Sequence, residues 1–400
     1  MGTIGTGPRP NAGESPLVAL RLESGSAFAR ELLTAWENGR AVLPMDPKLP
    51  QPAVKALLDL LKPSLLIDQA GQTALEGGVW VGSDVAVVMP TSGTTGGRPK
   101  AVELTHSALG AAAVASRLRL GHSADEQWMC CLPLTHIAGL MVLVRAREAG
   151  SLPVIHDRFE VEAVRTETRT TLLSLVPTAL AKLFKAEVDL SHYSTVLLGG
   201  APIPGDLLDE SRRRDVRVVT SYGMTETAGG CVYDGIPLDG VEIELAREQI
   251  LIRGPVLFSR YRLDEDLTAH SLKKSWFHTA DRGKVDENGK LRVLGRMDDL
   301  IITGGENVSP TQVEEILEQH PAISEAAVTG LPSKTWGQKV AAAIVLNPGK
   351  QITLQEIRTH VSSKSKKTQA PKTLAIVKAI PKTKSGKIKR SALPALFLTP

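Results

Sequence analysis

The chain has 400 residues and a mass of 42.8 kDa, more than one hydrophobic core usually holds, so we expect at least two domains. Hydrophobic residues make up 42% and charged residues 22%, a globular composition that excludes a disordered, collagen-like or coiled-coil chain. The 47 Lys and Arg residues against 43 Asp and Glu residues give a net charge of +4, which argues against a dedicated nucleic-acid-binding protein.

Nothing in the sequence indicates a membrane or secreted protein. There is no apolar run near the ~20 residues of a membrane span, and the N-terminus lacks the basic start and apolar stretch of a secretory signal. The three cysteines are too few for a disulfide framework or a four-cysteine zinc site. We therefore expect a cytoplasmic protein without a membrane span.

Short apolar runs rich in β-branched residues alternate with helical patterns over the first half of the chain. The predicted strands are residues 84–90, 171–176, 195–198 and 216–220, and the clearest helices are residues 107–118 and 178–184. Such alternation predicts an α/β fold with mainly parallel sheets flanked by helices. From Gly235 to Leu294 the pattern changes to short strands with turns, which predicts a small β unit beside the sheets.

A different module follows Arg296. Capping-box patterns predict helix starts at Ser309 and Thr353, and apolar runs predict strands at residues 326–329, 340–346 and 374–380. We expect a large N-terminal domain, residues 1–297, and a small, mobile α+β C-terminal domain, residues 298–400.

A segment dense in glycine and hydroxyl residues follows the first of the predicted strands. Residues 91–100 read TSGTTGGRPK, with three glycines and four hydroxyl side chains. Glycine brings backbone N–H groups close to a ligand, and hydroxyl groups with a lysine complete an anion cradle. The segment predicts a phosphate-binding loop, the alternative being a flexible surface turn.

This decapeptide resembles the phosphate-binding signature of the acyl-adenylate-forming superfamily, which contains acyl-CoA synthetases, adenylation domains of nonribosomal peptide synthetases and luciferases. The resemblance implies an enzyme that uses ATP, Mg²⁺ and, in many members, coenzyme A. The ATP-binding residues that it implies in this segment are Thr91, Ser92, Gly93, Thr94, Thr95 and Lys100.

Residues 199–202 (GGAP) and 221–227 (SYGMTET) are similar to the adenine and adenylate elements of the family. The similarity implies that Tyr222 stacks on adenine and that Thr225 contacts the α-phosphate. It also implies that Glu226, with Thr95, holds Mg²⁺, since a carboxylate suits a hard cation. Further ATP-binding residues by the same match are Gly200, Ala201, Pro202 and Gly223, of which Gly200 also borders the acid.

Three further segments match in the family's order. Residues 276–281 (WFHTAD) resemble the ribose-binding element, implying that Asp281 binds the ribose hydroxyls, although Ala280 replaces the usual glycine. Residues 295–307 resemble the hinge, implying that Arg296 reaches the ribose or phosphate and that Asp298 is the pivot. Residues 381–387 (PKTKSGK) resemble the final signature, in which Lys387 is catalytic.

In that family the small domain swings after adenylation and opens a channel for the thiol. Gly304 and Gly305 fit such a channel because glycine lets the backbone approach a narrow pantetheine chain. Residues 356–400 hold eleven Lys and Arg residues and one acidic residue, a net charge of +10. This basic tail is interpreted either as a solvated surface or as a surface for the phosphates of coenzyme A, and the resemblance favours the second reading.

Residues 132–140 (LPLTHIAGL) resemble the acyl-pocket motif, where His136 borders the reacting carboxylate and is counted among the catalytic residues. Nine residues later Arg145 lies in an apolar run, where it either snorkels to a helix surface or meets an anion. The whole segment is most similar to o-succinylbenzoate–CoA ligases of menaquinone biosynthesis, in which a basic residue at this offset meets the aromatic carboxylate. Ala138 departs from that pattern, since a small hydroxyl residue is usual there.

The resemblance therefore implies an ATP-dependent acid–CoA ligase that forms an acyl-adenylate and then a thioester, with o-succinylbenzoate as the expected acid. The alternatives are a ligase for another aryl or short-chain acid, or a standalone adenylation protein that loads a carrier protein. The expected partners are the carboxylic acid, ATP and coenzyme A, with no nucleic acid, and a homodimer is left open.

Overall fold

The structure is a computed structural model that describes residues 13–95, 98–123, 125–383 and 386–397. The chain divides into two compact units. The first unit lies within Met1–Glu242 and Ile252–Phe277, and the second within Ile243–Leu251 and His278–Pro400.

The strands, in chain order, are β1 (Glu14–Ser15), β2 (Leu17–Arg21), β3 (Ala41–Pro44), β4 (Leu65–Asp68), β5 (Gly71–Ala74), β6 (Val81–Gly82), β7 (Val85–Thr95), β8 (Arg98–Thr105), β9 (Trp128–Cys130), β10 (Val154–Ile155), β11 (Leu172–Leu175), β12 (Thr195–Gly199), β13 (Val218–Met224), β14 (Gly229–Tyr233), β15 (Ile236–Pro237), β16 (Glu242–Ala246), β17 (Gln249–Arg253), β18 (Arg260–Tyr261), β19 (Leu272–Lys273), β20 (Trp276–Val285), β21 (Leu291–Arg296), β22 (Ile301–Thr303), β23 (Glu306–Val308), β24 (Ile323–Ser333), β25 (Gly337–Leu346) and β26 (Thr373–Ile376).

The α-helices are α1 (Ser26–Glu37), α2 (Gln51–Leu61), α3 (His106–Leu120), α4 (Ile137–Glu148), α5 (Val161–Thr166), α6 (Pro177–Lys185), α7 (Gly205–Arg213), α8 (Glu265–Ser271), α9 (Pro310–Glu318) and α10 (Leu354–Lys364). Short 3₁₀ turns occur at Thr225–Thr227, Lys367–Gln369, Arg390–Ala392 and Pro394–Phe397.

Two seven-stranded sheets form the first unit. One has the order β10-β9-β11-β12-β13-β14-β15, and its strands are parallel from β10 to β13 and antiparallel beyond. The other has the order β18-β8-β7-β3-β2-β4-β5, with parallel pairing among β4, β2, β3 and β7. Parallel strands joined by helices confirm the predicted α/β class, and the burial of nearly all residues of β2, β3, β11 and β12 explains why their sequences are mainly apolar.

The second unit is an α+β module. Its sheet has the order β23-β22-β25-β24, with β26 parallel to β25, and its core is built from α9, α10 and the inner faces of β24 and β25. The chain passes between the two units within β16, β17 and β20. The predicted change to short strands with turns after Gly235 is confirmed by β15 to β19, which have two to five residues each.

Three local predictions need correction. Ser309 precedes α9, but its hydroxyl donates to the Leu294 carbonyl at 2.9 Å instead of capping the helix, whereas the capping box of Thr353 and Glu356 does form. The last strand ends at Ile376 instead of residue 380, because it pairs with only four residues of β25. The glycine-rich segment 91–100 was predicted as a loop, but most of it continues the antiparallel pair of β7 and β8, whose register shifts between Thr91 and Thr94. Residues 96 and 97 lie outside the described part.

Candidate active site

The topology of the first unit brings several predicted residues to one edge of a sheet. His136 follows β9, Gly200 follows β12, and Tyr222 lies near the end of β13. Because these strands are parallel, their carboxyl ends meet at the same edge, where open α/β sheets bind ligands.

Glycine is required at two points of this edge by close backbone approach. A Cβ atom on Gly199 would lie 2.7 Å from the Ser221 carbonyl oxygen, and one on Gly223 would lie 2.0 Å from that of Gly229. Gly200 has φ +83°, a left-handed conformation that favours glycine. The end of β12 therefore lies close against the backbone of β13, with Ala201 half-buried and Pro202 exposed beyond it.

Glu226 is the centre of a cluster of three polar side chains. It is only 6% exposed, and its Oε1 accepts hydrogen bonds from Lys100 Nζ at 3.0 Å and from the Tyr261 hydroxyl at 2.8 Å. Lys100 Nζ also donates to the Tyr261 oxygen at 3.2 Å and lies 4.6 Å from the centroid of that ring. The structure thus brings together two predicted residues, Lys100 and Glu226, and adds Tyr261, which the sequence analysis did not identify.

Tyr261 reaches this cluster because β18 pairs with β8, which places Tyr261 opposite Val102 and close to Lys100. No local motif marks it, since Lys100 and Tyr261 are 161 residues apart in the chain. Thr225 begins the 3₁₀ turn that carries Glu226, and the Thr227 hydroxyl holds that turn by accepting from the Met224 N–H at 2.9 Å.

The phosphate loop is described only in part. The Thr91 hydroxyl lies 3.4 Å from the Lys100 carbonyl oxygen across the two strands. The side chains of Ser92, Thr94 and Thr95, and the surroundings of Gly93, lie outside the described part. In the part that is described, no group of three His, Cys, Asp or Glu residues could hold a metal. A single buried carboxylate, Glu226, fits Mg²⁺, which is usually bound by one or two carboxylates together with phosphates.

His136 is the residue before the first turn of α4, and its carbonyl oxygen accepts from Leu140 N–H at 3.0 Å. The first turn of α4 packs closely against the preceding loop and requires glycine at residue 139, because a Cβ atom there would lie 2.3 Å from the Pro133 carbonyl oxygen. His136 is exposed and Ala138 is half-buried, in the segment that follows the carboxyl end of β9.

Arg145 occupies the last turn of the same helix, about 13 Å beyond His136 along the axis. It is 6% exposed, and its guanidinium carbon lies 5.1 Å from the centroid of the Trp128 ring on β9. Its Nε and Nη1 have no hydrogen-bond partner among the described residues, which also offer it no ion pair. The arginine is therefore buried and does not snorkel to the helix surface.

In the second unit, β20 and β21 bring three predicted residues together. Asp281 and Arg296 are directly opposite in register, with Oδ1 and Nη1 3.5 Å apart, and Arg296 Nη2 donates to Asp298 at 3.0 Å. Burial would lower the pKa of Arg296, but the carboxylates of Asp281, Asp298 and Asp299 outweigh it, so the pKa is raised. These residues form one charged cluster beside the predicted hinge.

Gly304 and Gly305 form the two-residue turn between β22 and β23, with φ of +59° and +81°. Both positive angles demand glycine in such a hairpin. A Cβ atom on Gly304 would also meet the Trp336 ring at 2.9 Å, so backbone geometry alone explains both glycines.

Lys387 is exposed and closes a turn of the second unit. Its N–H donates to the Thr383 hydroxyl at 3.1 Å, and its carbonyl oxygen accepts from the Thr383 N–H at 2.7 Å. Residues 384 and 385 between them lie outside the described part.

The basic tail is not uniformly free. Arg390 donates to Glu314 at 2.6 and 2.9 Å and to Asp299 at 2.9 Å, so its charge is already paired with two carboxylates of the second unit. Lys366 and Lys382 pair with Glu306 and Glu325. Across the described ranges, no helix combines the length and apolar character needed to span a membrane.

Comparison with known proteins assigns the chain to a family. The model of AMP-binding enzymes matches residues 78–261, and that of the AMP-binding enzyme C-terminal domain matches residues 312–387. A probable 2-succinylbenzoate–CoA ligase of Mycobacterium tuberculosis (strain H37Rv) is 41% identical over 367 residues, which cover 86% of this chain and 94% of that protein.

Solved structures agree. The o-succinylbenzoate CoA synthetase (MenE) from Bacillus subtilis, in complex with the acyl-adenylate intermediate OSB-AMP, has a TM-score of 0.85 and 29% identity, covering 95% of this chain and 88% of that one. The same enzyme with ATP and magnesium ion has a TM-score of 0.83 and 29% identity, covering 96% and 90%. The chain belongs to the family of AMP-binding enzymes, the acyl-adenylate-forming superfamily.

Proposed function

We propose that the chain is an ATP-dependent acid–CoA ligase acting on 2-succinylbenzoate in the cytoplasm. The acid attacks the α-phosphorus of ATP to give an acyl-adenylate and pyrophosphate, and the thiol of coenzyme A then displaces AMP. The names and bound ligands of the relatives support this assignment.

The 41% identity to a probable 2-succinylbenzoate–CoA ligase is the observation that carries the choice of acid. The buried guanidinium of Arg145 is the group that we assign to its second carboxylate. A buried cation without a counterion is costly, so a substrate anion is the natural partner. By the resemblance, the second carboxylate of 2-succinylbenzoate would partner Arg145.

In the first half-reaction, the residues of the first unit hold the nucleotide. Tyr222 offers a flat face for adenine, and the turn at Thr225 presents its hydroxyl to the α-phosphate. Lys100 Nζ donates to Glu226 in this structure, and with the nucleotide bound it would donate to a phosphate oxygen instead. When bound through Glu226 and Thr95, Mg²⁺ supplies positive charge for the departing pyrophosphate.

The second unit supplies the remaining groups. We assign residues 1–297 and 298–400 to two functional domains that move about Asp298, with Asp281 and Arg296 binding the ribose. Lys387 screens the repulsion between the carboxylate and the α-phosphate during adenylation. Gly304 and Gly305 then border the pantetheine chain of coenzyme A.

A panel of carboxylic acids assayed for CoA-dependent AMP formation tests this function. We expect 2-succinylbenzoate to have the highest kcat/KM. Arg145→Met should raise its KM by up to about 100-fold, the value of a lost hydrogen bond to a charged group, and change benzoate little. Arg147→Met, on the exposed side of the same turn, is the matched control. Turnover only with a carrier protein, or equal losses for both acids, would contradict the proposal.

A further inference from the structure

A network of charges in the second unit joins the hinge segment to the turn that carries Lys387. Asp299, next to the pivot residue Asp298, is one of three carboxylates whose charge favours the protonated form of Arg296. The same carboxylate accepts a hydrogen bond from Arg390 Nε at 2.9 Å. Arg390 lies three residues beyond Lys387 in the chain. Alternating charges therefore run from Arg296 through Asp299 to the neighbourhood of Lys387.

Arg390 is held on several sides of its guanidinium. Nη1 and Nη2 donate to the two carboxylate oxygens of Glu314 at 2.6 and 2.9 Å, while Nε donates to Asp299. Nη1 also donates to the Val328 carbonyl at 2.9 Å, and the Val328 N–H donates to Glu314 at 2.7 Å. The side chain of Glu314 is only 8% exposed. A planar guanidinium bonded to two carboxylates in this way has a defined orientation, so it also fixes the backbone from which it extends.

The chain folds back on itself just before Arg390 and forms a hairpin, residues 381–389, that carries Lys387. At its base Lys389 N–H donates to the Pro381 carbonyl at 2.8 Å. Nearer its tip are the two hydrogen bonds between Thr383 and Lys387. Because Arg390 directly follows the closed base, its bonds determine how this lysine hairpin is directed on the second unit.

An apolar cluster attaches the same hairpin to the sheet of the second unit. Ile388 packs with Ile380 and Leu393, both of which are buried. Apolar contacts are non-directional, so they hold the hairpin in place without setting its direction. Without Arg390 we expect the hairpin to stay attached but to lose its defined orientation.

We propose that Arg390 is a positioning residue for adenylation: by bonding to Glu314 and Asp299 it orients the lysine hairpin relative to the hinge segment, so that the two move as one piece. The inference rests on the proposed function, in which Lys387 screens the acid and the α-phosphate, and adds to it the group that places this lysine. Arg390 acts through Lys387, so its loss should affect only the step in which Lys387 takes part.

The test measures the two half-reactions of the full chain separately. Arg390→Met should lower kcat for acid-dependent pyrophosphate release about 10- to 100-fold, because a small displacement of a catalytic group costs a factor of this size. The KM values for ATP and 2-succinylbenzoate should change less than about twofold, since neither substrate contacts Arg390. Release of AMP from preformed 2-succinylbenzoyl-adenylate by coenzyme A should be nearly unchanged, whereas a general loss of folding would lower both half-reactions.

Two further variants keep the test independent of stability. Arg390→Met leaves the Glu314 carboxylate buried without its arginine, which destabilises the unit. Asp299→Asn keeps that pair and removes only the charge on the hinge side, and should lower adenylation selectively by a smaller factor. Arg292→Met is the matched control, because Arg292 is a 65% exposed arginine of the same unit that pairs with Asp286 at 3.0 Å. It should leave both half-reactions unchanged.

A double-mutant cycle shows whether Arg390 acts through the lysine. In the Lys387→Ala background, Arg390→Met should lower pyrophosphate release by less than about twofold, since the group that it positions is already gone. Losses that multiply in the double variant would show that Arg390 acts independently of Lys387.

The outcomes separate this inference from the function on which it rests. Multiplying losses, equal losses in the two half-reactions, or full adenylation by both Arg390→Met and Asp299→Asn would refute the role of Arg390 while the ligase activity of the wild type stood. If Arg390→Met does not fold, Asp299→Asn decides alone. A wild-type chain that released no pyrophosphate with any acid would overturn the proposed function and this inference together.

Discussion

At the scale of single residues, the hydroxyl of Tyr261 holds the buried carboxylate of Glu226. Tyr261→Phe removes one hydrogen bond to a charged group, worth about 1.5–3 kcal/mol, while the ring can keep its packing at 4.8 Å from Phe258. We expect kcat/KM for ATP to fall about 10- to 100-fold. Tyr233→Phe, which loses a buried bond to Ser116 instead, should reduce stability without this kinetic effect. Equal kinetics for the two variants would remove Tyr261 from the nucleotide site.

Lys387 is the second residue whose catalytic role can be tested separately from its effect on stability. Because its side chain is exposed, Lys387→Ala should leave the free energy of unfolding unchanged. Acid-dependent pyrophosphate release should nevertheless fall by orders of magnitude, since the charge that screens two anions is lost. Lys378→Ala, also exposed and in the same basic segment, serves as the control. Full adenylation by the Lys387 variant would exclude the catalytic assignment.

His122 predicts a pH dependence of stability. Its folded pKa of about 4 is below the ordinary value of 6.5, so the unfolded chain binds the proton more readily. Stability from the neutral imidazole is complete above pH 6.5 and is lost as the pH falls towards 4. In urea titrations we expect the unfolding free energy of the wild type to fall relative to that of His122→Phe as the pH is lowered over this range. A constant difference would contradict the low pKa.

At this scale the sequence predicted the residues that lie in local motifs. Lys100, Glu226, Asp281 and Arg296 each lie in a signature string, so the sequence alone identifies them. Tyr261 was missed, since its importance comes from strand pairing, which joins residues distant in the chain. Burial of Arg145 could not be decided from an apolar run alone, because helix surface and core both give such runs.

At the scale of elements, a buried ion pair fastens β18 to the rest of its unit. Arg262 and Glu103 are 3.2 Å apart with side chains 3% and 4% exposed, and Arg262 also donates to the carbonyl oxygens of Leu61, Val79 and Trp80. Burial raises the pKa of Glu103 and lowers that of Arg262, so desolvation outweighs their attraction. The pair positions Tyr261, its neighbour in the chain.

Breaking this pair should cost far more than removing a neighbouring charge. Arg262→Met leaves the Glu103 carboxylate buried without its partner, and we expect a loss of about 3–5 kcal/mol in the free energy of unfolding. Arg260→Met is the control, because Arg260 is 62% exposed and 3.7 Å from Glu103, and should cost about 1 kcal/mol or less. Denaturant titration measures both losses of unfolding free energy, and similar values would show that the buried ion pair contributes no more to stability than the exposed one.

Elements were predicted well where periodicity and caps are local. The four strands and two helices named for the first unit agree with the structure to within about five residues at either end, and the capping box at Thr353 forms. The cap at Ser309 failed because a tertiary partner, the Leu294 carbonyl, competes for the same hydroxyl. The paired strands around the phosphate loop were missed because glycine-rich composition conceals strand pairing.

At the scale of the whole molecule, charge is divided unevenly along the chain. The +10 of residues 356–400 leaves −6 for the remainder, although Arg390 and at least two of the lysines are already paired. Surface charges attract a polyanion over roughly 8–10 Å at moderate salt and lose this effect at high salt. Coenzyme A carries phosphates, whereas pantetheine, which bears the same thiol, carries none.

We therefore expect the KM for coenzyme A to rise several-fold between about 50 and 500 mM KCl, while the KM for pantetheine stays nearly constant. Both are measured as AMP formation at saturating acid and ATP, so that salt effects on the first half-reaction cancel in the comparison. Charge reversal of Lys364 and Lys367 should flatten the salt dependence for coenzyme A alone, because neither lysine has an ion pair with a described residue. If coenzyme A and pantetheine responded to salt alike, the basic tail would be a solvated surface with no part in binding the thiol substrate.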